Sequence, residues 1–103
     1  MFEEINDTTF ESMLLTGETG VCIFYKQLCP HCKNMERVLD KFAKLQPSVR
    51  LFSIDLEQNP PAAKACEAER VPTIITFRDG KVLGRKVGLM NPREMVQFFE
   101  SCR

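Results

Sequence analysis

Hydrophobic positions along this chain recur in two alternating periods, one of two residues and one of three to four, and their order predicts nine elements. Phe2 to Ile5 is a short strand candidate. Thr8 and Glu11 have capping-box spacing, and Phe10, Met13 and Leu14 then recur at helical intervals until Gly17 and Gly20 end the pattern. Val21 to Tyr25 is a short apolar run with a β-branched and aromatic bias, as in a strand covered on both faces. Beyond Cys29-Pro30-His31-Cys32, the residues Met35, Val38, Leu39, Phe42 and Leu45 form a helical stripe that stops before Pro47. Val49 to Leu56 reads as a strand and Pro61 to Glu69 as a short Ala-rich helix with Pro in its first turn. Thr73 to Phe77 and Val82 to Val87 flank Asp79-Gly80, a dipeptide suited to the positive φ angles of a tight hairpin. A last amphipathic helix starts at Asn91-Pro92-Arg93-Glu94, with Asn as N-cap and Pro at N1, and turns Met95, Phe98, Phe99 and Cys102 to one side.

The predicted order is βαβαβαββα, and no repeat or linker divides it, so a single domain over residues 1–103 is expected. Strand-helix-strand crossovers require parallel pairing in the first half, whereas the Asp79-Gly80 hairpin requires antiparallel pairing in the second. The fold class is therefore α/β, a central mixed sheet flanked by helices on both faces.

Composition narrows the function. Of 103 residues, 44% are hydrophobic, which suits one core, and 14 Lys and Arg balance 14 Asp and Glu without forming a basic stripe, so no nucleic-acid partner is indicated. Met1-Phe2-Glu3-Glu4 has neither a basic n-region nor a following apolar run, and no stretch approaches the ~20 apolar residues of a membrane span. The expectation is a soluble, cytoplasmic monomer. Five cysteines without an export signal do not read as a secreted disulfide framework. Only Cys29 and Cys32 are close in sequence, and Cys22, Cys66 and Cys102 are read as small apolar residues.

The tetrad at a strand-to-helix junction has the parts that thiol-disulfide exchange needs: an accessible thiolate, a second thiol within reach, and a site that stabilises negative sulfur. Cys29 falls just outside the first helical turn, where unpaired N–H groups and the positive end of the helix dipole favour an anion. Cys32, one turn on, should be more buried, and Pro30 suits the first helical position. His31 adds a group able to stabilise the Cys29 thiolate by charge or hydrogen bonding. Cys29, His31 and Cys32 are also competent zinc ligands, but there is no second CxxC and His31 is the only histidine, so no metal is expected.

From Phe2 to Cys102 the chain resembles the thioredoxins. Glu57-Gln58-Asn59-Pro60 looks like the acidic segment after their third strand, Val71-Pro72-Thr73 like their cis-proline motif, Phe77-Arg78-Asp79-Gly80-Lys81 like their FxxGK turn, and Val87-Gly88 like the glycine near the substrate groove. The resemblance implies a thioredoxin fold, a cis Pro72 lying against Cys29 and Cys32, and a substrate groove that includes Leu28, Val71, Pro72 and Gly88. It also shows departures. The usual WCGPC is Leu28-Cys29-Pro30-His31-Cys32, the tetrad of the DsbA disulfide oxidases, and the buried Asp and its partner Lys align with Ile23 and Ser53. The relay that ordinarily deprotonates the second cysteine is therefore missing, and Asp55 is read as a strand-end carboxylate instead.

These features imply a thiol-disulfide oxidoreductase that carries a Cys29–Cys32 redox disulfide and no cofactor. Its partners would be protein disulfides or thiols and a reductase or small-thiol electron donor. The leading reading is an intracellular disulfide reductase less reducing than a CGPC thioredoxin. The alternatives are an oxidase or isomerase using the same site, or a non-catalytic module that binds metal or a partner. A glutaredoxin is disfavoured because Gly88-Leu89 stands where that family has Gly-Gly.

Overall fold

The computed structural model describes residues 2–15 and 17–102 and contains the nine elements in the expected order. They are β1 (Phe2–Ile5), α1 (Asp7–Leu14), β2 (Gly20–Tyr25), α2 (Pro30–Leu45), β3 (Arg50–Asp55), α3 (Pro60–Ala65), β4 (Thr73–Arg78), β5 (Lys81–Val87) and α4 (Pro92–Ser101). The sheet runs β1-β3-β2-β4-β5, with β1 and β2 parallel to β3, β4 antiparallel to β2, and β5 antiparallel to β4. The hairpin turn takes φ of 52° at Asp79 and 80° at Gly80, the paired positive angles its sequence predicts.

Alternation along the strands divides the interior into two cores. Cys22, Phe24, Phe52, Ile54, Ile75 and Phe77 pack on one face beneath Phe10 and Met13 of α1 and Ala62 and Ala63 of α3. Val21, Ile23, Leu51 and Ile74 pack on the other beneath Met35, Leu39 and Phe42 of α2 and Met95 and Phe99 of α4. Phe42 and Phe99 meet edge to face with centroids 5.2 Å apart, which locks α2 to α4. Gly84 of β5 lets α4 close down on the sheet, since a Cβ there would collide with Cys102 Sγ.

Three local expectations need correction. The cap of α1 is Asn6, which exchanges hydrogen bonds with Thr9, rather than Thr8 with Glu11. The third helix runs Pro60–Ala65 rather than Pro61 to Glu69. Glu67 turns left-handed at φ 55°, and the Glu67 and Ala68 N–H groups donate to the carbonyls of Lys64 and Ala63, a Schellman stop made without glycine. Leu45, the last member of the α2 stripe, is exposed, because the chain leaves the helix there and has no sheet beneath it.

Candidate active site

The C-terminal ends of β2, β3 and β5 and the N-terminal start of β4 all lie at one end of the sheet, since Tyr25 pairs with Asp55, Phe24 with Thr73, and Thr73 with Val87. That end gathers the tetrad, which follows β2, with Val71-Pro72, which precedes β4, and Gly88, which follows β5. The Val71–Pro72 bond is cis. The Gly88 N–H donates to the Pro72 carbonyl at 2.8 Å, and Gly88 has φ 99°, an angle a side chain rarely tolerates. Met90 N–H donates to Met35 Sδ at 3.4 Å, which ties the loop after Gly88 to α2.

Cys29 is the N-cap of α2 and Pro30 its first helical residue. The Cys29 sulfur accepts the Cys32 N–H at 3.2 Å, so the group that caps the helix is the sulfur itself. Cys29 and Cys32 are joined as a disulfide with Cα atoms 5.2 Å apart. Their surroundings differ. Cys29 is half-buried, whereas Cys32 is 1% exposed and lies on the α2 face that carries Met35 and Leu39. Pro30 and His31 are both exposed. Leu28, which precedes the pair, has φ 58° and is 94% exposed. A bulky residue in the left-handed region is uncommon, and this one carries an apolar side chain into solvent next to the Cys29–Cys32 pair. Val71 is half-buried, Pro72 is buried, and Leu89 is exposed.

Ile23 and Ser53 are direct cross-strand partners on the sheet face that α2 covers. Neither carries a charge there. Instead the Ser53 hydroxyl donates to one oxygen of Glu4 and the Tyr25 hydroxyl to the other, each at 2.8 Å. Burial and the nearby Glu4 push the Tyr25 phenol well above its ordinary range. Asp55 is a strand-end carboxylate: it accepts the N–H groups of Glu57 and Gln58 at 2.9 and 3.3 Å and the Gln27 side-chain amide at 3.3 Å. Glu36, one helical turn after Cys32, is partly buried, and its carboxyl is raised first by burial and then by Asp40 and Glu4. Glu4 and Glu36 were missed in the sequence. The i, i+4 spacing from Cys32 was the one available signal for Glu36, and none existed for Glu4, which the topology alone brings beside Ser53 and Tyr25.

Cys22 and Cys66 lie in the core on the opposite face of the sheet from α2. Cys102 is half-buried against Gly84. Among the described residues no three His, Cys, Asp or Glu side chains are grouped so as to hold a metal ion, and no helix is long and apolar enough to cross a membrane.

The thioredoxin family model matches residues 1–101. Thioredoxin-3, mitochondrial, of Saccharomyces cerevisiae is 32% identical over 83 residues, which are 81% of this chain and 65% of that protein, just under two thirds of its length. A thioredoxin of Chlamydia muridarum is 32% identical over 97 residues, 94% of each chain. Among solved structures, desulfothioredoxin of Desulfovibrio vulgaris Hildenborough in its reduced form superposes with a TM-score of 0.84 at 42% identity, covering 98% of this chain and 99% of that one.

Proposed function

Since this chain belongs to the thioredoxin family of thiol-disulfide oxidoreductases, we propose that it acts as a protein-disulfide reductase whose Cys29–Cys32 couple is less reducing than that of a CGPC thioredoxin. The observation that carries this reading is the asymmetry of the pair: a half-buried cysteine whose sulfur caps a helix, and a second cysteine buried one turn on. In the dithiol form Cys29, stabilised as a thiolate by the helix start, attacks a substrate disulfide. Cys32 then attacks Cys29, which releases the second substrate thiol and restores the intramolecular disulfide. A reductase or small thiol returns the two electrons, and no cofactor other than the cysteine pair is required. Leu28, Val71, Pro72 and Gly88 form the groove that takes an extended substrate segment, with the Val71 backbone as its pairing edge.

A reducing compartment such as the cytoplasm suits the three free cysteines, two of them buried. The protein works as a monomer in this reading. An oxidase or isomerase would use the same two sulfurs, and the Pro30-His31 insert is the feature that favours it. The discriminating experiment is equilibration of the couple with thiol-disulfide buffers, alongside insulin reduction driven by dithiothreitol. Turnover with a potential above about −270 mV but well below about −120 mV supports the reductase. Turnover at the higher value makes the chain an oxidase, and no turnover leaves a non-catalytic binding module.

A further inference from the structure

Exchange at this site requires that a buried thiol lose its proton. Cys32 is 1% exposed, and burial in an apolar site holds a thiol protonated. The two positions where relatives of this fold place a charged relay are Ile23 and Ser53, and neither can accept that proton.

We propose that the Glu36 carboxylate takes the proton from Cys32 when the mixed disulfide is resolved, an inference that rests on the exchange chemistry proposed above. Glu36 follows Cys32 by four residues on α2, so the two share a face one turn apart, and a helical side chain leans back toward the preceding turn, here the one that holds Cys32. Glu36 is partly buried, and among the described residues neither of its oxygens accepts a hydrogen bond.

The neighbouring acids are less suitable. Both oxygens of Glu4 on β1 are occupied by Ser53 and Tyr25. Asp55 on β3 is held by two backbone N–H groups and Gln27. Asp40 is exposed and lies a further turn along α2. The groups that act electrostatically on Glu36 are Lys33 and Asp40 on its own helix, Glu4 on β1 and Tyr25 on β2. Burial, Asp40 and Glu4 raise its carboxyl and only Lys33 lowers it, so Glu36 is a stronger base than a solvated glutamate.

In the step itself, Cys32 S–H gives its proton to Glu36. The resulting thiolate attacks Cys29 Sγ, the Cys29–Cys32 bond forms, and the bond from Cys29 to the substrate sulfur breaks. The substrate leaves as a thiolate and is protonated by Glu36 or water. Two protein thiols are oxidised and one substrate disulfide is reduced.

The test is stopped-flow reaction of the fully reduced chain with a dipyridyl disulfide, which releases one chromophore when Cys29 attacks and a second when Cys32 resolves. In Glu36→Gln the second phase is expected to slow by roughly tenfold or more relative to the first. It should also lose the inflection that the carboxyl, raised above the ordinary glutamate range by burial, Asp40 and Glu4, gives the wild-type profile. Glu36→Asp should keep that inflection at a reduced rate. An unchanged ratio and profile in Glu36→Gln would overturn the role of Glu36 while leaving the exchange reading intact. A wild-type chain that releases no second chromophore would overturn both.

Discussion

Cys29 and Cys32 are separated by two residues, yet the first is half-buried and the second sealed in the core, and the roles proposed for them rest on this difference. After reduction, limiting alkylation at mildly acidic pH should label Cys29 first, because the reaction follows thiolate fraction and access together. Burial pushes the Cys66 thiol up to about 11 and the Cys22 thiol well above its ordinary range, so neither should compete. Cys32→Ser should accumulate mixed disulfides through Cys29, visible as substrate adducts by mass spectrometry. Adducts on Cys29→Ser and none on Cys32→Ser would reverse the assignment. Glu36 makes a prediction about stability as well. Its carboxyl is raised in the fold, so the native state holds that proton more tightly than the unfolded chain, and the stability it contributes is present at low pH and lost as pH rises through its titration. Glu36→Gln should therefore raise the denaturant midpoint at neutral pH and change it little in acid. A lower midpoint at neutral pH would contradict that environment for the carboxyl.

At the scale of elements, the helix starts divide into those closed by side-chain oxygen and the one closed by sulfur. Asn6 and Asn91 cap α1 and α4 through reciprocal hydrogen bonds with Thr9 and Glu94, whereas α2 is capped by Cys29. The first turn of α2 contains no acidic residue, so its free N–H groups and dipole are available to the Cys29 thiolate. His31, exposed in that same turn, adds an imidazole able to stabilise the thiolate by charge or hydrogen bonding. Stabilising the thiolate stabilises the reduced form and raises the potential. Replacing Pro30→Gly together with His31→Pro should raise the Cys29 pKa and make the couple more reducing by at least about 30 mV, equivalent to about 1.4 kcal/mol. A potential unchanged within error would remove His31 from the mechanism.

For the molecule as a whole, the sheet separates the chemistry from half of the core. The α1 and α3 side holds Cys22 and Cys66, and the α2 and α4 side holds the helix on which the redox pair sits. Leu39 is fully buried on that second side, two turns beyond Cys32 and clear of the sulfurs. Leu39→Ala should cost about 2–5 kcal/mol through lost burial and the cavity left behind, measured as a lower denaturant midpoint. Under conditions where the variant is still folded, the rate of the Cys29 attack should match wild type. A large loss of that rate in folded protein would mean that the tetrad depends on core packing far from it. The surface ion pairs of Arg50 with Glu3 and Glu18 join exposed groups and should add little to stability beside such a core.

Local pattern was enough to read the nine elements, the Asp79-Gly80 turn, the Asn91 cap and the redox pair, because each is decided by residues within a few positions of one another. Periodicity reports which face of a segment is apolar, and CxxC at a helix start carries its own electrostatics. Local reading failed where the deciding partner competes along the chain or lies across the fold. Asn6 displaced Thr8 as the cap because its side chain reaches the Thr9 N–H, and α3 stopped early because Glu67 accepted a left-handed turn that residue type does not announce. Only the tertiary structure set Ile23 against Ser53, brought Glu4 to Ser53 and Tyr25, and joined Gly88 to Pro72. Those contacts come from strand order and register, which are fixed by burying two cores at once rather than by any short segment, and so the composition of the site around the cysteines was decided by the fold.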